Sequence, residues 1–251
     1  MALLFHDTLP DKNPKDNHNY TVLHLASYYG QLEIVKAICK LVKEKNPAAP
    51  GEQWYNRTPI HEACFNGQLE VVEFLTSIVK NTNPLDARED SAMHYAGQEG
   101  HVNIIQFYHE KMEEKNPGQK CEGQFKERSV MHDAAQHGHF DAVKCIGNEL
   151  DNKNPADAHG ITVMHSAASG GDVPTLQWVV EHSDDKNPRT SEYWNKSVPL
   201  HSAALHGNLE AVQYLINKVK IDPNVKTSTG CTPYDIATKD AAVAKYLSQF
   251  R

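Results

Sequence analysis

The sequence has no excess of positive charge, no long apolar run and no regular cysteine pattern, and each shortfall removes a class of function. With 25 Lys and Arg against 32 Asp and Glu, the 251-residue chain carries a formal net charge of −7. Phosphate binding needs a basic face, so a nucleic-acid role is disfavoured. No apolar stretch approaches membrane-spanning length, which predicts no direct membrane insertion. No charged-then-apolar leader of the secretory type is present. The five cysteines, Cys39, Cys64, Cys121, Cys145 and Cys231, are odd in number and irregularly spaced, with no Cys-x-x-Cys. That argues against a disulfide framework or zinc cluster and for a reducing compartment: the cytoplasm, with the nucleus as an alternative. There is no His-Glu-x-x-His, no Gly-x-Ser-x-Gly and no phosphate-cradling glycine loop, so neither enzyme nor cofactor is expected. Hydrophobic residues make up 39%, low for one large core but ordinary for a thin array whose units bury their apolar faces against each other.

What is present is repetition. One line recurs as Thr21-Val-Leu-His24, Thr58-Pro-Ile-His61, Ser91-Ala-Met-His94, Ser129-Val-Met-His132, Thr162-Val-Met-His165 and Val198-Pro-Leu-His201, with a seventh copy, Thr232-Pro-Tyr-Asp235. Successive copies lie 37, 33, 38, 33, 36 and 34 residues apart, and a Gly follows six residues after each His. Thr or Ser caps the free N–H groups of a helix start, and Pro is tolerated next because its missing N–H needs no partner. The Gly permits the turn that ends the short helix. A second helix then follows, with apolar residues at helical spacing such as Leu69, Val71, Val72 and Leu75.

A third signature, Lys-Asn-Pro, closes most units: Lys12-Asn-Pro14, Lys45-Asn-Pro47, Lys115-Asn-Pro117, Lys153-Asn-Pro155 and Lys186-Asn-Pro188, with Thr82-Asn-Pro84 as a variant. Asn is read here as a left-handed helix stop and the residue before Pro as extended. Each unit is therefore predicted to be helix, turn, helix, extended loop. Val198 lacks the capping hydroxyl and is expected to weaken its helix start by ~1 kcal/mol.

These motifs resemble the ankyrin repeat, whose hallmark is Thr-Pro-Leu-His followed by a Gly-His-Leu-Glu-type turn. Gly67-Gln-Leu-Glu70 and Gly207-Asn-Leu-Glu210 are close copies of that turn. The resemblance implies an all-α solenoid of helix-turn-helix units with projecting β-hairpin or extended loops. One domain over 1–251 is expected, with a partial N-terminal repeat or cap at 1–16. The repeats fall near 17–52, 53–85, 86–123, 124–156, 157–192, 193–226 and 227–251, the last with a C-terminal cap. Lys-Asn-Pro departs from the family's usual loop, so the loop path is expected to differ.

The spacing also carries a double period of about 70 residues, because the loops entering the second, fourth and sixth units are longer. In the family such loops are fingers on one edge. Here they carry Trp54, Tyr55 and Arg57, then Phe125, Lys126 and Arg128, then Tyr193, Trp194 and Lys196. Aromatics on a projecting loop can bind a partner, pack on neighbouring fingers, or simply pair within a hairpin. The family's other variable surface lies at the end of the first helix of each unit. It adds Tyr28, Tyr29, Phe65, Asn66, Gln136, His137, Leu205 and His206, with Tyr20 beside them, as candidate partner contacts.

Fifteen histidines invite a metal reading. Six of them, His24, His61, His94, His132, His165 and His201, are motif residues, and in the family these look like hydrogen-bonding links between units. They are spread along an array instead of converging on one point, so no metal is expected. The function expected is that of a monomeric scaffold binding a protein or peptide. The alternative is the ankyrin part of a larger channel, kinase or ubiquitin-ligase component, and a histidine-based metalloprotein is the remoter option.

Overall fold

The computed structural model describes residues 11–51, 55–118, 126–237 and 241–251. The chain packs as two compact units, residues 1–113 and 114–251. The first holds three helix pairs: α1 (Val22–Tyr28) with α2 (Leu32–Leu41), α3 (Pro59–Phe65) with α4 (Leu69–Ile78), and α5 (Ala92–Gln98) with α6 (Val102–Lys111). The second holds four: α7 (Val130–Gln136) with α8 (Phe140–Asn148), α9 (Val163–Gly170) with α10 (Val173–Glu181), α11 (Pro199–His206) with α12 (Leu209–Asn217), and α13 (Pro233–Ile236) with α14 (Ala241–Leu247). Within each unit the first helices of successive pairs pack side by side as an inner row, and the second helices form an outer row. Val71, Val72 and Leu75, then Ile104, Ile105 and Tyr108, fill the space between rows in the first unit. Ala142, Val143 and Ile146, then Leu176 and Val179, do so in the second. No described helix is long and apolar enough to cross a membrane.

The Thr/Ser-x-x-His line forms the inner-helix start. The hydroxyls of Thr21 and Ser91 accept the third N–H at 3.4 Å, while the His Nδ1 returns to the cap's own backbone N–H at 3.0–3.2 Å in all six histidine units. The two groups satisfy each other's orphan donors, as in a capping box with His in place of Glu.

Lys-Asn-Pro does something the sequence reading did not foresee. Its Asn residues all keep negative φ, so they do not stop a helix in the left-handed conformation. Instead the Asn Oδ1 accepts the second N–H of the next inner helix: Asn13 from Leu23, Asn46 from Ile60, Asn83 from Met93, Asn116 from Met131 and Asn154 from Met164, at 2.9–3.1 Å. The Pro carbonyl accepts the first N–H wherever that residue is not itself Pro, as from Pro155 to Val163 at 3.2 Å. The Lys ammonium reaches back to the carbonyl end of the preceding outer helix, where Lys153 meets Gly147 O at 2.7 Å, and Lys45 and Lys186 make the corresponding contacts. That position favours a cation through the exposed carbonyls and the helix dipole. The tripeptide thus splices the end of one helix pair to the start of the next.

At the start of α11 both devices are deficient. Val198 brings no hydroxyl and Asn187 Oδ1 has no partner. Val198 is fully buried with its backbone N–H on His201 Nδ1, so a hydroxyl in place of one methyl meets a ready acceptor. Val198→Thr is expected to stabilise residues 114–251 by about 1 kcal/mol, read as a raised urea midpoint. An unchanged or lowered midpoint would show that the buried methyl matters more.

Five entry loops are closed by a single antiparallel bridge: Lys15 with Thr21, Ala49 with Arg57, Leu85 with Ser91, Gly118 with Ser129, and Ala156 with Thr162. Short loops are organised by an Asp whose Oδ1 collects two N–H groups, as Asp157 does from His159 and Ile161. The inner row is tight. A Cβ on Gly170 at the end of α9 would lie 2.2 Å from Gln136 O at the end of α7, so only glycine fits there.

Candidate functional site

The motif histidines define the inner row chemically. In five of them Nε2 points at the carbonyl just before the next cap: His24 at Arg57 O, His61 at Asp90 O, His132 at Ile161 O, His165 at Ser197 O and His201 at Cys231 O, at 2.9–3.3 Å. A carbonyl can only accept, so Nε2 carries the proton. A backbone N–H can only donate, so Nδ1 must be bare. The rings are therefore neutral and used at both ends. Burial disfavours their cations and holds His24, His61 and His165 down to about 4 and His132 to about 3; His201 is lowered as well.

Two further positions recur along the inner row. Four residues past the cap stand Leu25, Glu62 and Tyr95 in the first unit, and Asp133, Ser166, Ser202 and Ile236 in the second. Just before the cap stand Tyr20, Arg57 and Asp90, then Arg128, Ile161, Ser197 and Cys231. In the first unit these side chains fill their own space. Arg57 Nε lies 3.1 Å from Glu62 Oε1, and its guanidinium sits over the rings of Phe65 and Tyr95. Tyr95 donates to Asp86 at 2.7 Å and accepts from Arg88. Burial pushes the Glu62 carboxyl upward and Arg57 pulls it back.

The second unit begins the same way, with Arg128 Nε 2.6 Å from Asp133 and Nη2 2.5 Å from Gln136. The pattern then stops. Where Arg and a carboxylate stand in the second and fourth repeats, the sixth has Ser197 and Ser202, with Ser166 beside them. The result is a cleft of about 490 Å³ between α9, α11 and the loop at 189–197. Ser169, Ser202 and Thr229 supply hydroxyls, and Trp194, Leu205 and His206 also line it. Trp194 is 38% exposed and Leu205 40%. Among the described residues, Arg128 is the only charged side chain in the lining, and no carboxylate belongs to it.

The structure distributes the predicted contacts unevenly. Arg128, Gln136, Trp194, Leu205 and His206 come together at the cleft. Tyr193 is 61% exposed beside it and stacks on His159 at 4.5 Å. Lys196 pairs with Glu192, Lys126 is half-buried, and His137 is exposed with Nδ1 on Asp133 O. In the first unit Tyr28 and Tyr29 meet edge to face, and Tyr29 is 64% exposed. Tyr55 faces the Arg88 guanidinium, and Phe65 and Asn66 are half-buried. Three predicted contacts do not present a free surface. Tyr20 is 6% exposed because its ring stacks on His24 and its hydroxyl bonds Glu62. Arg57 and Arg128 are taken up by the carboxylates five residues on. Trp54 and Phe125 lie outside the described residues.

The loops also bond to one another. Ala87 N–H donates to Tyr55 O in the first unit, and Ala158, Ser191 and Ser228 donate to Lys126, His159 and Asn195 in the second, at 2.6–3.1 Å. Neighbouring loops are thus tied together backbone to backbone. Ser166, Asn195, Ser197, Ser202, Thr229 and Ile236 line the cleft without having been expected there. For Ser166, Ser197 and Ser202 the signal was available as a loss of bulk at two aligned positions. Cys64 is fully buried and its thiol is pushed up to about 12, which makes it unreactive.

Comparison with known proteins accords with this geometry. The family described as "Ankyrin repeats (3 copies)" matches residues 2–84, 41–116 and 93–190, and "Ankyrin repeats (many copies)" matches 180–237. The human ASB11 ankyrin repeat domain shares the fold with a TM-score of 0.66 over 92% of this chain and 97% of that one, at 18% identity. The tyrosine-protein kinase Shark of Drosophila melanogaster is 44% identical over 59 residues, 23% of this chain, and the chain spans only 6% of that protein's length. With the all-α helix pairs, the histidine links and these matches together, the chain belongs to the ankyrin-repeat family, a fold that generally mediates protein–protein interaction.

Proposed function

We propose that the chain is a protein-interaction scaffold that takes an extended segment of a partner along the inner row of residues 114–251, with the aromatic loop at 189–197 as one wall. The observation that carries this is the cleft rimmed by Trp194 and Leu205. An open cleft beside exposed aromatic and aliphatic side chains is where binding energy concentrates in interfaces. The exposed Leu25 and Tyr29 on and beside α1 are further apolar contacts for a partner that reaches the first unit. Hydrogen exchange on the full chain with a bound partner tests the reading. Protection is expected in α9, α11 and 189–197. Protection confined to the outer helices would contradict it.

A second reading has one observation in its favour. The 59-residue likeness to a tyrosine kinase fits an array serving as the interaction part of a longer, multidomain protein. The mass of the native protein, detected with an antibody to this chain, separates the two: a band near 28.1 kDa contradicts the longer protein.

A further inference from the structure

The second and fourth repeats plug the space on the inner row with their own Arg and carboxylate, and the sixth leaves it open. Three further observations bear on what belongs there. Ser166 is 2% exposed, lies in the lining of the cleft, and its Oγ has no hydrogen-bond partner. Such a buried hydroxyl is normally satisfied. The lining has hydroxyl donors and one guanidinium but no carboxylate among the described residues. An arginine or lysine guest would find no carboxylate in the lining, whereas an acceptor-rich group would find hydroxyl donors. The guanidinium of Arg128 is already taken by Asp133 at 2.6 Å and Gln136 at 2.5 Å, so the hydroxyls are the donors for a guest, which suits a carboxylate better than a dianion.

We propose that this cleft receives the carboxylate of an aspartate or glutamate in an extended partner segment, with apolar residues on either side of it against Trp194 and Leu205. The inference rests on the docking reading above and adds the chemistry of the guest. The carboxylate occupies, from outside, the place that Glu62 and Asp133 occupy from within their own repeats. Hydrogen bonds from the hydroxyls to its charged oxygens hold it.

The experiment is selection of random dodecapeptides displayed on phage against the full chain, followed by titration of synthetic winners. The expected result is an Asp or Glu enriched at one position beside apolar residues. Changing that residue to Gln or Asn should weaken binding about tenfold or more. Ser202→Glu places a carboxylate where the second and fourth repeats already carry one, so the fold should tolerate it, and it should weaken the acidic peptides to a similar degree. The peptide substitution leaves the protein untouched, so it decides even if Ser202→Glu fails to fold. Peptides that depend on Trp194 and Leu205 without any acidic preference would overturn the guest assignment and leave the docking reading standing. Tighter binding of a phosphoserine version than of the glutamate peptide would likewise overturn it. A selection with no peptide sensitive to Trp194→Ala or Leu205→Ala would overturn both.

Discussion

Replacing His165 by leucine is expected to destabilise residues 114–251 by about 3–5 kcal/mol. Leucine keeps much of the volume, so the loss isolates the hydrogen bonds. The Thr162 N–H loses its acceptor, the Thr162 hydroxyl loses its acceptor at 3.0 Å, and the Ser197 carbonyl loses the Nε2 proton and keeps only the Thr190 N–H at 2.9 Å. All three groups lie in an environment that leaves His165 1% exposed. A buried polar group stripped of its partner costs about 1–3 kcal/mol, and here the losses fall at a junction between two repeats. Arrays depend on such junctions for cooperativity, so the urea transition should also broaden. A loss below about 1 kcal/mol would mean that the link between α9 and the loop at 189–197 is incidental.

Acidification is expected to have the second large effect. His24, His61 and His165 are held down to about 4 and His132 to about 3 when folded, while an unfolded histidine titrates near 6.5. Above 6.5 both states are neutral and stability is indifferent to pH. As pH falls below 6.5 the unfolded chain takes up protons that the folded chain refuses, so stability drops. It levels off only once pH passes the folded values, near 4 and below. At pH 5 each of these rings contributes a loss of about 2 kcal/mol. With two such rings in each compact unit, the loss is comparable to the stability of a small domain. Urea midpoints measured from pH 7.5 to 4.5 should fall steadily below 6.5, with proton uptake on unfolding at pH 5. Flat midpoints across that range would contradict the neutral, doubly bonded rings.

Much of the fold was legible because its signals are local. Thr or Ser three residues before His is a cap, and Gly six residues after the His is the turn. Both are chemistry within one repeat, and both stand as read. Lys-Asn-Pro was misread at its Asn because that residue acts across a gap: Asn154 caps an amide ten residues on, and no helix-stop rule contains that partner. The candidate site was legible only in part for the same reason. Trp194, Leu205 and His206 are visible as exposed types at exposed places. Arg57 and Arg128 looked like free finger cations, yet each is spent on a carboxylate five residues later, on the far side of the cap. Tyr20 looked like a rim aromatic but folds inward onto His24. The cleft itself is a deficit of side chain, and a deficit appears only when Ser197 and Ser202 are set beside Arg57 and Glu62.

The most direct measurement is the affinity of an identified partner for the intact chain and for the Trp194→Ala/Leu205→Ala variant, with thermal melts run on both. Trp194 and Leu205 are partly exposed, so the melts should nearly coincide. Binding should weaken about thirtyfold or more, the loss expected when a central aromatic anchor is removed. Equal affinity with equal melts would contradict the account.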